Sequence, residues 1–156
     1  MSLALLIVAS VGAGIVGGVF FAFSTFVMKA LASVPAAAGI ATMQRINVVV
    51  LNSLFLGAFV GTAAVSAVVI AAAFFPWTTP RSLVLLAAGS LYLFGCFFIT
   101  LAFNVPRNNR LARLKADSAE ALEYWPIYVR EWQFWNHVRG AASVASAACS
   151  AAALAV

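Results

Sequence analysis

Residues 3–28 read LALLIVASVGAGIVGGVFFAFSTFVM, with no charged side chain from Leu3 to Met28. A run of this length exceeds the roughly 18–20 apolar residues that carry a helix across a ~30 Å hydrocarbon core. Two further runs share its character, Ile46 to Phe75 and Ser82 to Phe103. A fourth, Gly140 to Val156, is shorter and made of small residues, so it needs the residues just before it to complete a crossing. The sequence therefore predicts an all-α, four-transmembrane-helix bundle forming one integral membrane domain over residues 1–156. The spans are expected at about 3–28, 46–75, 82–103 and 138–156, with a short interfacial helix before the fourth. The first run has no Lys or Arg before it and is too long for a signal-peptide core, so it reads as a retained helix.

Composition supports the same class. The chain has 156 residues, 65% of them hydrophobic and 8% charged, and a mean hydropathy of +1.06, whereas soluble domains carry about 25% charged residues. Its apolar surface must face lipid, neighbouring helices or a sister subunit. Cys96 and Cys149 sit in apolar runs without metal-ligand or disulfide-framework spacing. The net charge of +5 need not imply nucleic acid, which is not expected as a partner, because the membrane topology accounts for it. Lys29, Arg45, Arg107, Arg110, Arg113, Lys115, Arg130 and Arg139 fall on one side of a four-span layout, and Arg81 alone on the other. Basic residues close to spans mark the cytoplasmic face. Both termini are thus expected outside a bacterial-type inner or plasma membrane, with the 104–139 segment cytoplasmic.

The connections differ in length. Pro76-Trp77-Thr78-Thr79-Pro80-Arg81 is a tight turn with an interfacial aromatic. The link from Lys29 to Arg45 contains Pro35 and an Ala-rich stretch suited to a short helix along the headgroups. Gly14 and Gly18 stand four apart, as do Gly57 and Gly61, which gives each helix a face that a neighbour can approach closely. Packing within one bundle and a homo-oligomer seam both fit that spacing.

Polar groups at membrane depth cost several kcal/mol unless paired, so their positions are informative. Gln44, Arg45 and Asn52 fall within about 100° of one another on a helix. Asn47 fits an interfacial position, and Asn52 either bonds a neighbouring carbonyl or shares a polar face with Gln44. Pro106 disfavours a continuing helix at Val105, so the third helix is expected to stop or kink there, bracketed by Asn104 and Asn108. Those amides either bind the freed backbone groups or point, with Arg107 or Arg110, into a pocket. Farther on, Tyr128, Trp132, Trp135 and Arg139 recur at helical spacing, and Arg130, Gln133 and His137 form a second, polar stripe. Tryptophans near a charged boundary often anchor a helix in the headgroups. His137 is the only histidine, which leaves no multi-histidine metal site within one chain. It is either a structural residue or a catalytic one, with Asn136, Arg139, Gln133 and Glu131 for company.

The order of these features, Asn104-Val105-Pro106 with Asn108 and Leu111, then Trp132-x-x-Trp135-Asn136-His137-x-Arg139, resembles the anthrone-oxygenase-like family of integral membrane proteins. The resemblance covers nearly the whole chain. It implies an oxygenase that converts an anthrone, a flat tricyclic aromatic, to an anthraquinone with dioxygen and without a known organic cofactor. An anthrone's central methylene enolises readily, and its electron-rich anion reduces dioxygen directly. On this reading His137, Arg139 and Asn104 are the candidate catalytic residues. His137 serves as general base, and Arg139 with the amides of Asn104, Asn108 and Asn136 stabilises the oxyanion. Trp132 and Trp135 stack on the substrate, and Gln44 and Asn52 complete its pocket. The expected partners are membrane lipid and a hydrophobic aromatic small molecule.

Two other readings suit the same residues. One is a non-catalytic protein that binds a lipid, a quinone-like molecule or another hydrophobic ligand, or serves as a small subunit of a membrane complex. The other is a haem or metal protein using His137 with a second ligand. Transport is disfavoured because no charged residue lies within the first three spans. The topology is directly testable with cysteine variants: an impermeant thiol reagent added from outside should modify position 2 and spare position 115.

Overall fold

A computed structural model describes residues 2–155 and is all-α, with no strand among those residues. Helix α1 (Leu3–Ala22) opens with the Ser2 hydroxyl accepting from Leu5 N–H at 3.4 Å. It runs through a π-helical turn (Phe23–Val27) into α2 (Met28–Ser33), making one long rod. The rod ends at Val34, which is extended (φ −95°, ψ 167°), the conformation that Pro35 imposes on the residue before it. Helix α3 (Ala36–Val49) follows and buries Gly39, Ile40 and Met43. Helix α4 (Ser53–Ala72) starts at Asn52, whose side-chain oxygen accepts from Phe55 N–H at 2.9 Å. Helix α5 (Arg81–Tyr92) continues through π turns at Leu93–Phe98 and Thr100–Asn104 into α6 (Val105–Ala112). Last comes α7 (Ala119–Ala152), capped by Ser118.

Among the described residues, three helices are long and apolar enough to cross a membrane: Leu3–Ser33, Ser53–Ala72 and Arg81–Ala112. Helix α7 packs beside them, and α1, α4, α5 and α7 close into a ring in which each touches two others. Serine hydroxyls knit α7 into that ring. Ser143 donates to Ala13 O at 2.9 Å, Ser146 to Ala88 O at 2.7 Å, and Ser10 on α1 to Ala147 O at 3.0 Å. Hydroxyl-to-carbonyl bonds of this kind hold small-residue helices together where lipid supplies no hydrophobic drive. At one end of the ring α2, α3, α6 and the first half of α7 enclose a second core of Met28, Met43, Leu111, Trp125, Tyr128 and Trp132.

Several sequence expectations need correction. The second span begins at Ser53 rather than near Ile46, because Val50–Asn52 turns the chain and Ile46 belongs to α3. Of the stop or kink expected at Pro106, the stop does not occur. The preceding turns are π-helical, so the widened backbone takes the proline at the start of α6 without ending the rod. The short helix expected before the fourth span is absent as a separate element, since α7 is continuous from Ala119 to Ala152. The short helix expected in the link between the first two spans is present, as α3.

The glycine pairs also face the other way. A Cβ built at Gly14, Gly18, Gly57 or Gly61 meets nothing within 4 Å, so these residues do not pack the bundle. Close approaches occur elsewhere: at Gly17 against Ser143 and Val144, at Gly140 against Phe20, and at Gly89, where a Cβ would lie 2.7 Å from Ser66 O. Gly89→Leu should therefore destabilise the protein by about 1–3 kcal/mol through overpacking. Gly57→Leu should leave thermal unfolding in detergent unchanged.

Candidate active site

Helix α7 presents Tyr128, Trp132, Asn136, Arg139 and Ser143 inward, at steps of four and three residues that keep them on one face. At its centre lies Arg139, only 5% exposed. A buried guanidinium is costly unless paired and hydrogen-bonded. Arg139 has no carboxylate partner among the described residues; Glu131, on the same helix, pairs instead with Arg107 at 2.8 Å. Its partners are neutral. Asn136 Oδ1 accepts from Nε at 3.1 Å and from Nη2 at 2.8 Å, and Thr100 Oγ1 accepts from Nη1 at 3.3 Å. The guanidinium carbon lies 3.9 Å from the Phe20 ring centre and 5.0 Å from that of Trp132, a cation–π arrangement that gains strength when desolvated.

Asn136 is held from behind. Its Nδ2 donates to Phe20 O and to Ser24 Oγ, each at 2.8 Å, where α1 enters its π turn. The amide therefore spends both ends, one on the backbone of α1 and one on Arg139. Thr100 is fixed in turn by donating to Cys96 O at 2.8 Å, within the π turns of the third helix. Trp132 is tied down as well. Its Nε1 donates to Asn108 Oδ1 at 2.8 Å, and its carbonyl accepts from Asn104 Nδ2 at 3.1 Å. Tyr128 OH donates to the same Asn108 Oδ1 at 2.9 Å.

These groups border a cavity of about 430 Å³ between α3, α4 and the third helix, within the range of small-molecule sites. Its walls are mostly apolar and rich in aromatic rings, including Phe20, Phe23, Phe55, Phe59, Phe97 and Trp132. Gln44, Asn47, Thr100, Asn108, Asn109 and Arg139 supply the polar lining, and Arg139 is the only ionisable lining residue. Val48, Leu51, Val60 and Leu101 line it and are also exposed, so its mouth opens on the flank of the bundle.

The structure brings together only part of the set expected from sequence. Gln44, Asn108, Trp132 and Arg139 line the cavity, and Asn136 stands behind Arg139. Gln44 also donates to Leu111 O and Leu114 O, both at 2.9 Å, closing the end of α6. Asn104 is fully buried and braces the Trp132 carbonyl without lining the cavity; its Oδ1 has no hydrogen-bond partner. Asn52 is an exposed helix cap. Trp135 stacks on Phe103, with ring centres 3.6 Å apart, and lines no part of the cavity. His137 is exposed and borders a separate shallow groove with Phe21, Ser24, Thr25 and Val144. One residue past Asn136, it is turned about 100° away from the inward face. The groove offers it no Met, Cys or Glu, and no three His, Cys, Asp or Glu side chains converge among the described residues.

Sequence reasoning missed Asn47, Thr100 and Tyr128 as parts of this site. Tyr128 was legible from its place four residues before Trp132. Thr100 was not, because π turns decide which way it faces. Outside the cavity, Arg107 and Glu131 clamp α6 to α7, and Arg110 sits 4.0 Å above the Tyr124 ring. Burial raises the Tyr124 hydroxyl above its ordinary pKa, with Arg110 opposing.

Residues 50–149 match the family model for anthrone oxygenase. The chain belongs to the anthrone oxygenase family. No curated protein and no solved structure matches it. The matched region runs from the α3–α4 turn through most of α7, so it contains Thr100, Asn108, Trp132, Asn136 and Arg139, while Phe20, Gln44 and Asn47 lie before it. In this anthrone oxygenase family member the Asn136 amide accepts two of the buried guanidinium's three hydrogen bonds. Asn136→Ala should therefore cost about 3 kcal/mol or more, as expected when a buried charge loses its partner. His137→Ala, at an exposed site, should fall within about 0.5 kcal/mol of the parent, both measured by unfolding in detergent.

Proposed function

We propose that the protein is a membrane-embedded oxygenase that holds a flat, apolar, anthrone-like aromatic in the cavity and oxidises it with dioxygen. The observation that carries this reading is the guanidinium of Arg139, buried at the wall of an aromatic cavity without a carboxylate to neutralise it. A neutral ketone gains little from such a charge. An enolate oxygen gains a great deal, because fixed charge in a water-poor site stabilises an anion without reorganisation. Arg139 therefore favours the ionised substrate, with Thr100 and Asn136 keeping the guanidinium in place and Trp132 offering a face for the rings.

The chemistry then balances without further protein groups. The methylene of the anthrone loses a proton to solvent, and the enolate carbon gives one electron to dioxygen. The two radicals join through a new C–O bond, and the peroxide formed takes up a proton. Loss of the remaining hydrogen on that carbon, with cleavage of the O–O bond, yields the second carbonyl and one water. His137 has no part in this scheme, since it borders a different groove. Both substrates dissolve in the bilayer, and the mouth on the apolar flank suits entry from lipid.

The same reading makes α7 the fourth crossing, its Ser143 and Ser146 bonds to α1 and α5 standing in for the apolar character it lacks. It keeps both termini outside and the Arg107–Lys115 end cytoplasmic, following the basic residues. The test is dioxygen uptake with an anthrone in mild detergent. The parent should turn over, Arg139→Met should lose about a hundredfold or more, and His137→Ala should match the parent. Tight ligand binding without dioxygen uptake by the parent would replace the oxygenase by a carrier of the same ligand class.

A further inference from the structure

The Arg139 guanidinium does not spend all its donors on the protein. Such a group carries its five N–H donors in one rigid plane. Here Nε–H and the Nη2–H parallel to it both go to Asn136 Oδ1, at 3.1 and 2.8 Å, and one N–H of Nη1 goes to Thr100 Oγ1 at 3.3 Å. The second N–H on Nη1 and the second on Nη2 have no acceptor among the described residues. Arg139 and Thr100 both line the cavity, so this Nη end of the plane stands at its wall. The rings of Phe20 and Trp132 lie 3.9 and 5.0 Å from the guanidinium carbon, which leaves the edge for a further partner. The charge is unmet as well. Arg139 is the only ionisable residue lining the cavity, and a guanidinium keeps its proton in proteins. A buried charge stays costly until one of opposite sign is placed beside it.

We infer that the substrate-free protein binds one small monovalent anion of the halide or pseudohalide class, seated on the two spare N–H groups of Arg139. Spare donors and unbalanced charge coincide at one wall, and a single anion meets both demands through charge-assisted hydrogen bonds. The cavity around that wall is mostly apolar, so an entering ion sheds most of its water. Weakly hydrated anions such as thiocyanate and iodide are therefore favoured over chloride, and the strongly hydrated fluoride and sulfate are rejected. An ionised substrate needs the same N–H groups, so anion and substrate exclude each other. That competition rests on the oxygenase reading of the cavity, whereas the anion site rests on the geometry of Arg139 alone.

The experiment titrates the parent protein with chloride in a non-ionic detergent, without substrate, and follows the line width of the chloride NMR signal while sulfate keeps the ionic strength constant. The excess line width should saturate. Thiocyanate should displace chloride at about tenfold lower concentration, and fluoride should not displace it. Arg139→Met should abolish the saturable broadening, and Arg113→Gln, at an exposed arginine just past α6, should retain it. Absence of saturable broadening in the parent overturns the inference, as does broadening that survives Arg139→Met or vanishes in Arg113→Gln. If Arg139→Met does not fold, the seat is read in the parent by iodide, which quenches an adjacent indole. Trp132 fluorescence should be quenched saturably at the concentration that displaces chloride, and quenching without saturation overturns the seat at Arg139. In dioxygen uptake with an anthrone, thiocyanate should raise KM and leave kcat unchanged. Uptake indifferent to thiocyanate at concentrations that displace chloride overturns the competition. Saturable chloride binding by a protein that takes up no dioxygen would keep the anion site and overturn the oxygenase reading instead.

Discussion

The buried charge of Arg139 is the constraint around which this bundle is arranged. A guanidinium inside an apolar helix ring must find neutral acceptors or ring faces, because each unmet N–H costs free energy there. Asn136 supplies one acceptor atom to two of its nitrogens, Thr100 supplies another, and Phe20 and Trp132 cover its faces. Each of these partners needs a partner of its own. The demand spreads outward through Phe20 O and Ser24 to α1, through Cys96 O to the third helix, and through Asn108 and Asn104 to α6. Three of the four rods of the ring are thereby tied to one side chain.

The π turns lie where those ties are made. After α1 the widened turn covers Phe23–Val27, beside the Asn136 contacts, and in the third helix one such turn ends at Phe98 and the next begins at Thr100. An added residue per turn shifts the direction of the side chains that follow and loosens the carbonyl ladder, which is why such turns recur at functional sites. Here they let Asn136 reach a backbone carbonyl of α1 and let the third helix run past Pro106 into α6. Without that continuity Asn108 would not stand over Trp132.

The family and the cavity bear on function in different ways. Membership in the anthrone oxygenase family suggests oxygenase-like chemistry. The cavity adds aromatic walls and one buried cation, Arg139. Arg139 is its only ionisable lining residue, so on the proposed reading the protein favours an anion and does not itself take the proton.

The sequence by itself determined the class of this protein. Hydropathy along a single chain is a local property, and it was enough to show an all-α membrane domain with three strong spans, whatever their neighbours do. It also exposed the spacing of Tyr128, Trp132 and Arg139 on one helix face. Tertiary structure alone decided which face is inward. His137 and Asn136 are adjacent in sequence and equally polar, yet one step of about 100° puts the first on the flank and the second against Arg139. Gly57 and Gly61 have the spacing of a packing seam but face open space, whereas Gly89 makes the close approach. The continuity of the third helix past Pro106 was likewise hidden, because π turns depend on contacts made by other helices. Direction around a helix axis is set by what the helix packs against, and that information lies in the partner segments, not in the segment itself.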